Sequence, residues 1–319
     1  MSLSNRSLSI CAVICSCLTA VNVSFAVENN PGNAKDTTTL RPVALSSAND
    51  SLSKDPYENY LPKWYDMITR IPGDWVEYTE QTFQAKNMPG LFVVAGATAS
   101  LMVVDRQWYW TESKWYSESP AFHTFSNWMV FTGDGRFQFG IVGVFGAYGY
   151  AFDDTRSLRT ASELTEAILA CGGVVQLLKH VTGRESPFVS TERTGDWVFF
   201  PNQIQYAKHT PHYDAFPSGH LATATATLVV IAENYPDAYW LKPFGYLSLA
   251  AISSSLVAYG VHWWSDYPLA LVLGYSFGEI ASHPLGLMLG ARHNDESPKL
   301  SFSPAISRNG VGCGLSLSF

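Results

Sequence analysis

Residues 215–222 read AFPSGHLA, and residues 223–234, TATATLVVIAEN, follow. Pro217 and Ser218 stand before an Ala-, Thr- and Leu-rich run of helical character, so Ser218 is expected to cap a helix. Unpaired N–H groups at a helix start point outward and attract anions. Gly219 allows a ligand close to the backbone there. His220 then sits at the mouth of an anion site, with a ring that gives or takes a proton near neutral pH. A capped helix with an incidental histidine has the same four letters, so the flanking sequence must decide.

Upstream, residues 179–187 read KHVTGRESP and close an apolar, helix-like stretch. Lys179 and Arg184 lie within about a turn and a half of each other, and Gly183 is placed to stop the helix. Two cations at a helix end either complement its dipole or clamp an anion, Lys as a point charge and Arg as a fork. Downstream, residues 259–268 read YGVHWWSDYP. His262 and Asp266 are four apart, which puts them on one face if the segment is helical. The pair is either structural or a base whose tautomer the carboxylate fixes, leaving the second ring nitrogen as nucleophile. No third or fourth ligand of suitable type stands near enough in sequence for a metal site.

The ordered set Lys–Arg, then Pro-Ser-Gly-His, then His-x3-Asp resembles the type 2 phosphatidic acid phosphatase superfamily. That superfamily also includes bacterial acid phosphatases and vanadium haloperoxidases. Its pattern is K-x6-R-P, P-S-G-H and S-R-x5-H-x3-D, and the resemblance covers about residues 137–289. Lys179, Pro187, the whole of 217–220, Ser255, His262 and Asp266 match. Ser186 stands where the first motif has its arginine, and Leu256 where the third motif has its own. The resemblance implies a metal-free phosphatase, without cofactor, that works through a phosphohistidine. His262 would attack phosphorus, Asp266 would orient its ring, and His220 would protonate the leaving oxygen and then activate water. Lys179, Arg184, Ser218 and Gly219 would hold the phosphate oxygens, with Arg184, Arg193 or Lys208 standing in for the missing arginines.

Composition sets the surroundings. The 319 residues suffice for a sizeable core, and a net charge of −7 argues against a nucleic-acid partner, which needs a basic face. Charged residues are only 15% and aromatic residues 14%, which suggests an apolar surface or work near lipid. Residues 1–26 read as a signal peptide, with Arg6, an apolar run over 8–23 and Ser24-Phe25-Ala26, so the protein is expected to be exported, to the periplasm or an envelope membrane. Residues 27–56 read as a flexible linker. Of the cysteines beyond residue 26, Cys171 and Cys313 are expected to be unpaired, buried thiols.

Apolar helical segments are predicted over 91–104, 137–152, 161–179, 219–233, 244–264 and 267–289, with a polar, aromatic segment over 184–216. This is an all-α class, a bundle of about six core helices over 57–293, which is also the fold that the resemblance implies. In the tail, 294–319, Asn309-Gly310 between alternating runs marks a short β-hairpin. Only 244–261 has the length of a membrane span, so a soluble bundle is the first expectation and a membrane-associated one the second. The function expected is an exported phosphatase acting on a phosphorylated lipid or a small phosphoester. The alternative is a non-catalytic phosphate-binding or structural envelope protein, to which Ser186 and Leu256 point.

Overall fold

The computed structural model describes residues 62–283 and the backbone of two tail strands. The expected signal peptide and linker lie outside the described residues, as does the side chain of Cys313. Eleven α-helices run through 62–283. These are α1 (Asp66–Thr69), α2 (Ile71–Thr82), α3 (Met88–Met102), α4 (Asp105–Glu118), α5 (Pro120–Gly133), α6 (Gly135–Phe152), α7 (Thr155–Thr182), α8 (Gln203–Lys208), α9 (Gly219–Asn234), α10 (Leu241–Tyr259) and α11 (Tyr267–Ser282). The domain is all-α, as the sequence predicts. By itself, the tail forms the predicted hairpin, β1 (Lys299–Ser307) paired antiparallel with β2 (Gly310–Ser318), with Ser307 opposite Gly310.

The core forms where α7, α9, α10 and α11 meet. Ala170, Cys171, Val175, Leu221, Ala222, Ile252, Leu256, Leu273 and Phe277 are buried there together. Small side chains on α9 explain the closeness of this packing. Its alternating Ala and Thr present a flat face, and each helical threonine can turn its hydroxyl back to its own backbone, as Thr225 does to the Leu221 carbonyl at 2.7 Å. Gly274 on α11 lies against that face, where a Cβ would stand 2.2 Å from the Ala222 carbonyl oxygen and 2.7 Å from the Thr225 Cβ. The free thiol of Cys171 is buried, as expected.

Helix ends follow local chemistry. Asp154 accepts hydrogen bonds from the backbone N–H groups of Arg156 and Ser157 and starts α7 six residues before the apolar period becomes visible. Gly183, at φ 52°, stops α7 in the left-handed region, as its sequence position predicts. The predicted helix over 244–264 ends earlier, at Tyr259, because Gly260 adopts φ 90° and turns the chain. His262 therefore lies in the connection to a 3₁₀ turn, Trp264–Asp266, and not on a helix. The last predicted helix closes at Ser282, and 284–289 fall outside the described residues. The aromatic stretch 108–116 and the segment 120–133, absent from the sequence prediction, form α4 and α5.

Helix α7, at 28 residues, and α10, at 19, are each long and apolar enough to cross a membrane. The bent pair Ala85–Met102 with Asp105–Glu118, broken by 60°, raises this to as many as three. More segments thus have span length than the sequence suggested, because α7 runs longer than its apolar period. Large apolar side chains stand exposed on several helices, among them Phe92 on α3, Trp128 on α5, Val144 on α6 and Leu247 on α10.

The close approach at Gly274 yields a direct expectation. Gly274→Val forces α9 and α11 apart, costs about 1–3 kcal/mol as overpacking does elsewhere, and lowers the midpoint of thermal unfolding by several degrees. An unchanged midpoint in a fluorescence-monitored melt contradicts this packing.

Candidate active site

Three chain segments converge at the start of α9. Ser218, wholly buried, accepts a hydrogen bond from the Leu221 N–H at 3.3 Å and is the predicted N-cap. Its own N–H donates to the Asp266 carbonyl at 3.2 Å, which ties the cap to the 3₁₀ turn. From the last turn of α7, Lys179 reaches the same point: a Cβ built on Gly219 would lie 3.9 Å from its Nζ. Lys179 is 5% exposed and donates to Asp214 Oδ2 at 3.3 Å. Lysine, cap and glycine thus share one small volume, as their order in the sequence suggests.

The two histidines meet beside it. His220 Nδ1 and His262 Nε2 are 3.3 Å apart, with ring planes at 71°. His262 Nδ1 lies 2.8 Å from the Ala215 carbonyl, which can only accept, so Nδ1 carries the proton and Nε2 keeps its lone pair. Asp266 Oδ2 is farther from Nδ1, at 3.5 Å, and accepts instead from the Trp263 backbone N–H at 2.7 Å. The nearest orienting acceptor for the His262 ring is therefore a backbone carbonyl. Asp266 acts on the ring mainly as a buried charge, where the sequence suggested a hydrogen-bonded partner.

That carbonyl is placed by the segment after α7. Residue 184 forms bridges to both Trp197 and Asp214, and Ala215 N–H donates to the Arg184 carbonyl at 2.9 Å. The Arg184 side chain turns inward and is wholly buried. Nε donates to the Thr194 carbonyl at 3.1 Å, and Nη1 to Ser265 Oγ at 2.7 Å and Asp266 Oδ1 at 2.5 Å. Nη2 donates to Asp105 Oδ2 at 2.9 Å and again to the Thr194 carbonyl at 2.7 Å. These contacts take up all five N–H donors of a guanidinium. Arg184 therefore braces Asp266 from behind and has no donor left for a phosphate oxygen, the place that the motif comparison suggested for it.

The other sequence candidates lie elsewhere. Arg193 is exposed and donates to the Val103 carbonyl at 3.2 Å. Lys208 is exposed at the end of α8. Ser186 is buried, with its N–H on the Pro211 carbonyl, and supplies a hydroxyl in place of a guanidinium. Leu256 fills the hydrophobic core at 0% exposure, so its position offers no polar group. Ser255 is also wholly buried, and its hydroxyl has no hydrogen-bond partner among the described residues.

Two further residues belong to the site without a motif to mark them. Asp214, directly before AFPSGH, pairs with Lys179. Asp105, which opens α4 some 80 positions upstream, accepts from the Ser265 N–H at 3.1 Å, the Ser265 hydroxyl at 2.5 Å and Arg184. On the outer side, Gly133 backs onto His220: a Cβ there would lie 3.5 Å from the His220 Cβ. The adjoining Asp134 lines a cavity of about 390 Å³ with Arg136, Asn127, Phe131 and Tyr259. Among the described residues no group of three or more His, Cys, Asp or Glu side chains is arranged to hold a metal ion.

Burial dominates the electrostatics. It pushes the His262 pKa down to about 3, with the Lys179 charge acting in the same direction. It pushes His220 down to about 3 as well, helped by His262 and then Lys179. Burial raises Asp266 to about 6 against the opposing pull of Arg184, so its carboxylate is ionised at neutral pH. Both rings are thus neutral, with the His262 lone pair accepting the Nδ1–H of His220.

Residues 161–284 match the family model of the PAP2 superfamily. No curated protein matches the chain in sequence. Among solved structures, the chain is similar to a transmembrane PAP2-type phosphatidylglycerolphosphate phosphatase from Bacillus subtilis, at 13% identity over 72% of this chain and 100% of that one, with a TM-score of 0.34.

The protonation states are open to direct measurement. In ¹⁵N spectra of histidine-labelled protein, His220 and His262 are expected to stay neutral at about pH 5, with His262 as the Nδ1–H tautomer. A titration midpoint near the ordinary value of about 6.5 for either ring contradicts the assignment.

Proposed function

We propose, from the match of residues 161–284 to the PAP2 superfamily model, that this protein is a phosphatase acting on phosphomonoesters or lipid (pyro)phosphates through a phosphohistidine at His262. The observation that carries this reading is the His262–His220 pair. One ring keeps a lone pair on Nε2 with its proton fixed on the far nitrogen, and the second ring lies 3.3 Å away. Such a pair suits in-line displacement at phosphorus, where positioning and charge stabilisation do most of the work.

In the first step the Nε2 lone pair of His262 bonds phosphorus while the bond to the leaving oxygen breaks. His220 delivers a proton to that oxygen. Because both rings are neutral, the proton arrives with the substrate as a phosphate monoanion and passes through His220. In the second step His220 takes a proton from water, the hydroxyl bonds phosphorus, and the P–N bond breaks to restore neutral His262; His220 then returns its proton to the departing phosphate, which leaves as the monoanion. Lys179, the Ser218 cap and the Gly219 N–H stand where the phosphate oxygens would lie. Arg184 serves this chemistry from below, through Asp266.

The substrate reading leans toward an amphiphile at a membrane. The span-length helices α7 and α10 and the exposed apolar side chains on α3, α5, α6 and α10 favour lipid contact. We place the protein at an envelope membrane after export, with a phosphorylated lipid as the preferred class. A second reading, a phosphate-group binder without turnover, draws on Ser186 and Leu256. With Arg184 fully engaged, Lys179 is the cation nearest the cap, and Asp214 already pairs with it.

Purified protein assayed with p-nitrophenyl phosphate, phosphatidic acid and an isoprenyl pyrophosphate decides between these readings. Turnover is expected to persist in EDTA, and His262→Ala is expected to lower kcat/KM by about 10³-fold or more. The pH profile follows from the neutral rings. His262 keeps its lone pair far below pH 6.5, so the acid limit is set instead by Asp266, which takes a proton below about pH 6 and then loses the charge that balances the His262 ring. Above the second phosphate pKa of about 6 the monoanion disappears, and kcat/KM for p-nitrophenyl phosphate falls about tenfold per pH unit. Equal rates for wild type and His262→Ala sink the catalytic reading, and tight phosphate binding without turnover supports the second.

A further inference from the structure

The knot beneath His262 holds one carboxylate more than Arg184 needs for neutrality. Asp105 and Asp266 lie 2.9 and 2.5 Å from its two terminal nitrogens, and all three side chains are 0% exposed. The neighbouring cation, Lys179, is itself paired with Asp214 at 3.3 Å. With that pair cancelling, a single net negative charge remains buried beneath the His262 ring.

Resting on the phosphohistidine reading, we infer that Asp105 is a positioning residue for phosphoryl transfer: by sharing Arg184, it leaves Asp266 the negative charge that balances His262 when that ring bonds phosphorus. Before attack the His262 ring is neutral. When the Nε2 lone pair forms the P–N bond, the bond to the leaving oxygen breaks and that oxygen takes the proton from His220. The His262 ring still holds its Nδ1 proton and becomes cationic. The Asp266 oxygen 3.5 Å from Nδ1 is placed to receive that charge. If Arg184 had Asp266 as its sole carboxylate, the two would neutralise each other and the cationic ring would form uncompensated in a low-dielectric interior. Asp105 prevents this by drawing Nη2 to itself. Its contacts to the Ser265 N–H and hydroxyl also fix the turn that carries Asp266. Asp105 touches no substrate and acts through Arg184, Ser265 and Asp266.

The test counts charge. Asp105→Asn keeps the size and cancels the net negative charge. The double variant Asp105→Asn/Arg184→Gln restores it, leaving Asp266 ionised beside an amide donor. Full-length protein in detergent is assayed with p-nitrophenyl phosphate and with orthovanadate, which mimics the trigonal-bipyramidal geometry of phosphoryl transfer. Asp105→Asn is expected to lower kcat about tenfold and weaken vanadate inhibition by a similar factor, with KM within about twofold of wild type; each is the scale of losing one charge-assisted contact. The double variant is expected to recover most of that kcat. A purely structural role instead predicts parallel losses in kcat and KM, and a double variant worse than the single one; either result overturns the inference. If Asp105→Asn folds poorly, the double variant carries the test, since a folded double variant without turnover also overturns it. An active wild type whose kcat ignores Asp105 removes this inference alone. Turnover untouched by His262→Ala removes the phosphohistidine reading with it.

Discussion

The buried Arg184 guanidinium is the constraint on which the rest of the site depends. Its five N–H groups join the first residue of α4, the carbonyl of Thr194 and the turn that bears Ser265 and Asp266. Trp197 covers one side of it, with the guanidinium carbon 4.9 Å from the ring centroid. Burying such a group is unfavourable unless every donor is met, and removing one partner of a buried ionic set costs about 3–5 kcal/mol. The geometry satisfies that demand without a free valence. The backbone of the same residue holds Ala215, and through it the carbonyl that fixes the His262 tautomer. One residue therefore sets both the charge under His262 and the proton on its Nδ1.

The resulting site is largely buried and short of cations. Two imidazoles rest neutral against each other, and Lys179, the cation beside the helix cap, already has a carboxylate partner. A doubly charged phosphate would meet few donors here, whereas a monoanion supplies the proton that the leaving oxygen needs. The missing guanidinium groups are accounted for individually. The position of Leu256 has been given to the core that packs α10 on its neighbours, and the position of Ser186 to a buried turn. On the phosphatase reading, catalysis would lean more on the helix start at Ser218–Gly219 and on the charge balance below His262 than on a ring of arginines.

Much of this was legible in the sequence, because its signals are local. Ser218 as cap, Gly183 as stop and the apolar periods of α6, α7, α9, α10 and α11 all express short-range rules of propensity and hydrogen bonding. The pairing of Asn309-Gly310 with flanking alternating runs belongs to the same class. What sequence spacing misjudged was tertiary. Four residues between His262 and Asp266 suggested a helical face, but Gly260 ends the helix and a 3₁₀ turn brings the pair together instead. Arg184 looked free to reach phosphate because its partners, Asp105 and Thr194, are remote or unremarkable in sequence. Asp214 carried a faint signal, a carboxylate directly before the histidine motif. Asp105 carried none, and α4 and α5 were hidden because their mixed aromatic and polar letters show no clean period.

The account stands or falls on where phosphorus bonds during turnover. Enzyme mixed with p-nitrophenyl phosphate near pH 6, quenched in alkali within the first turnover and digested for mass spectrometry, reports this directly. The account predicts a phosphoryl group on the peptide containing His262, absent in His262→Ala and present in reduced amount in Asp105→Asn. A wild-type chain that turns over substrate with no phosphopeptide, or with phosphorus on His220, contradicts it.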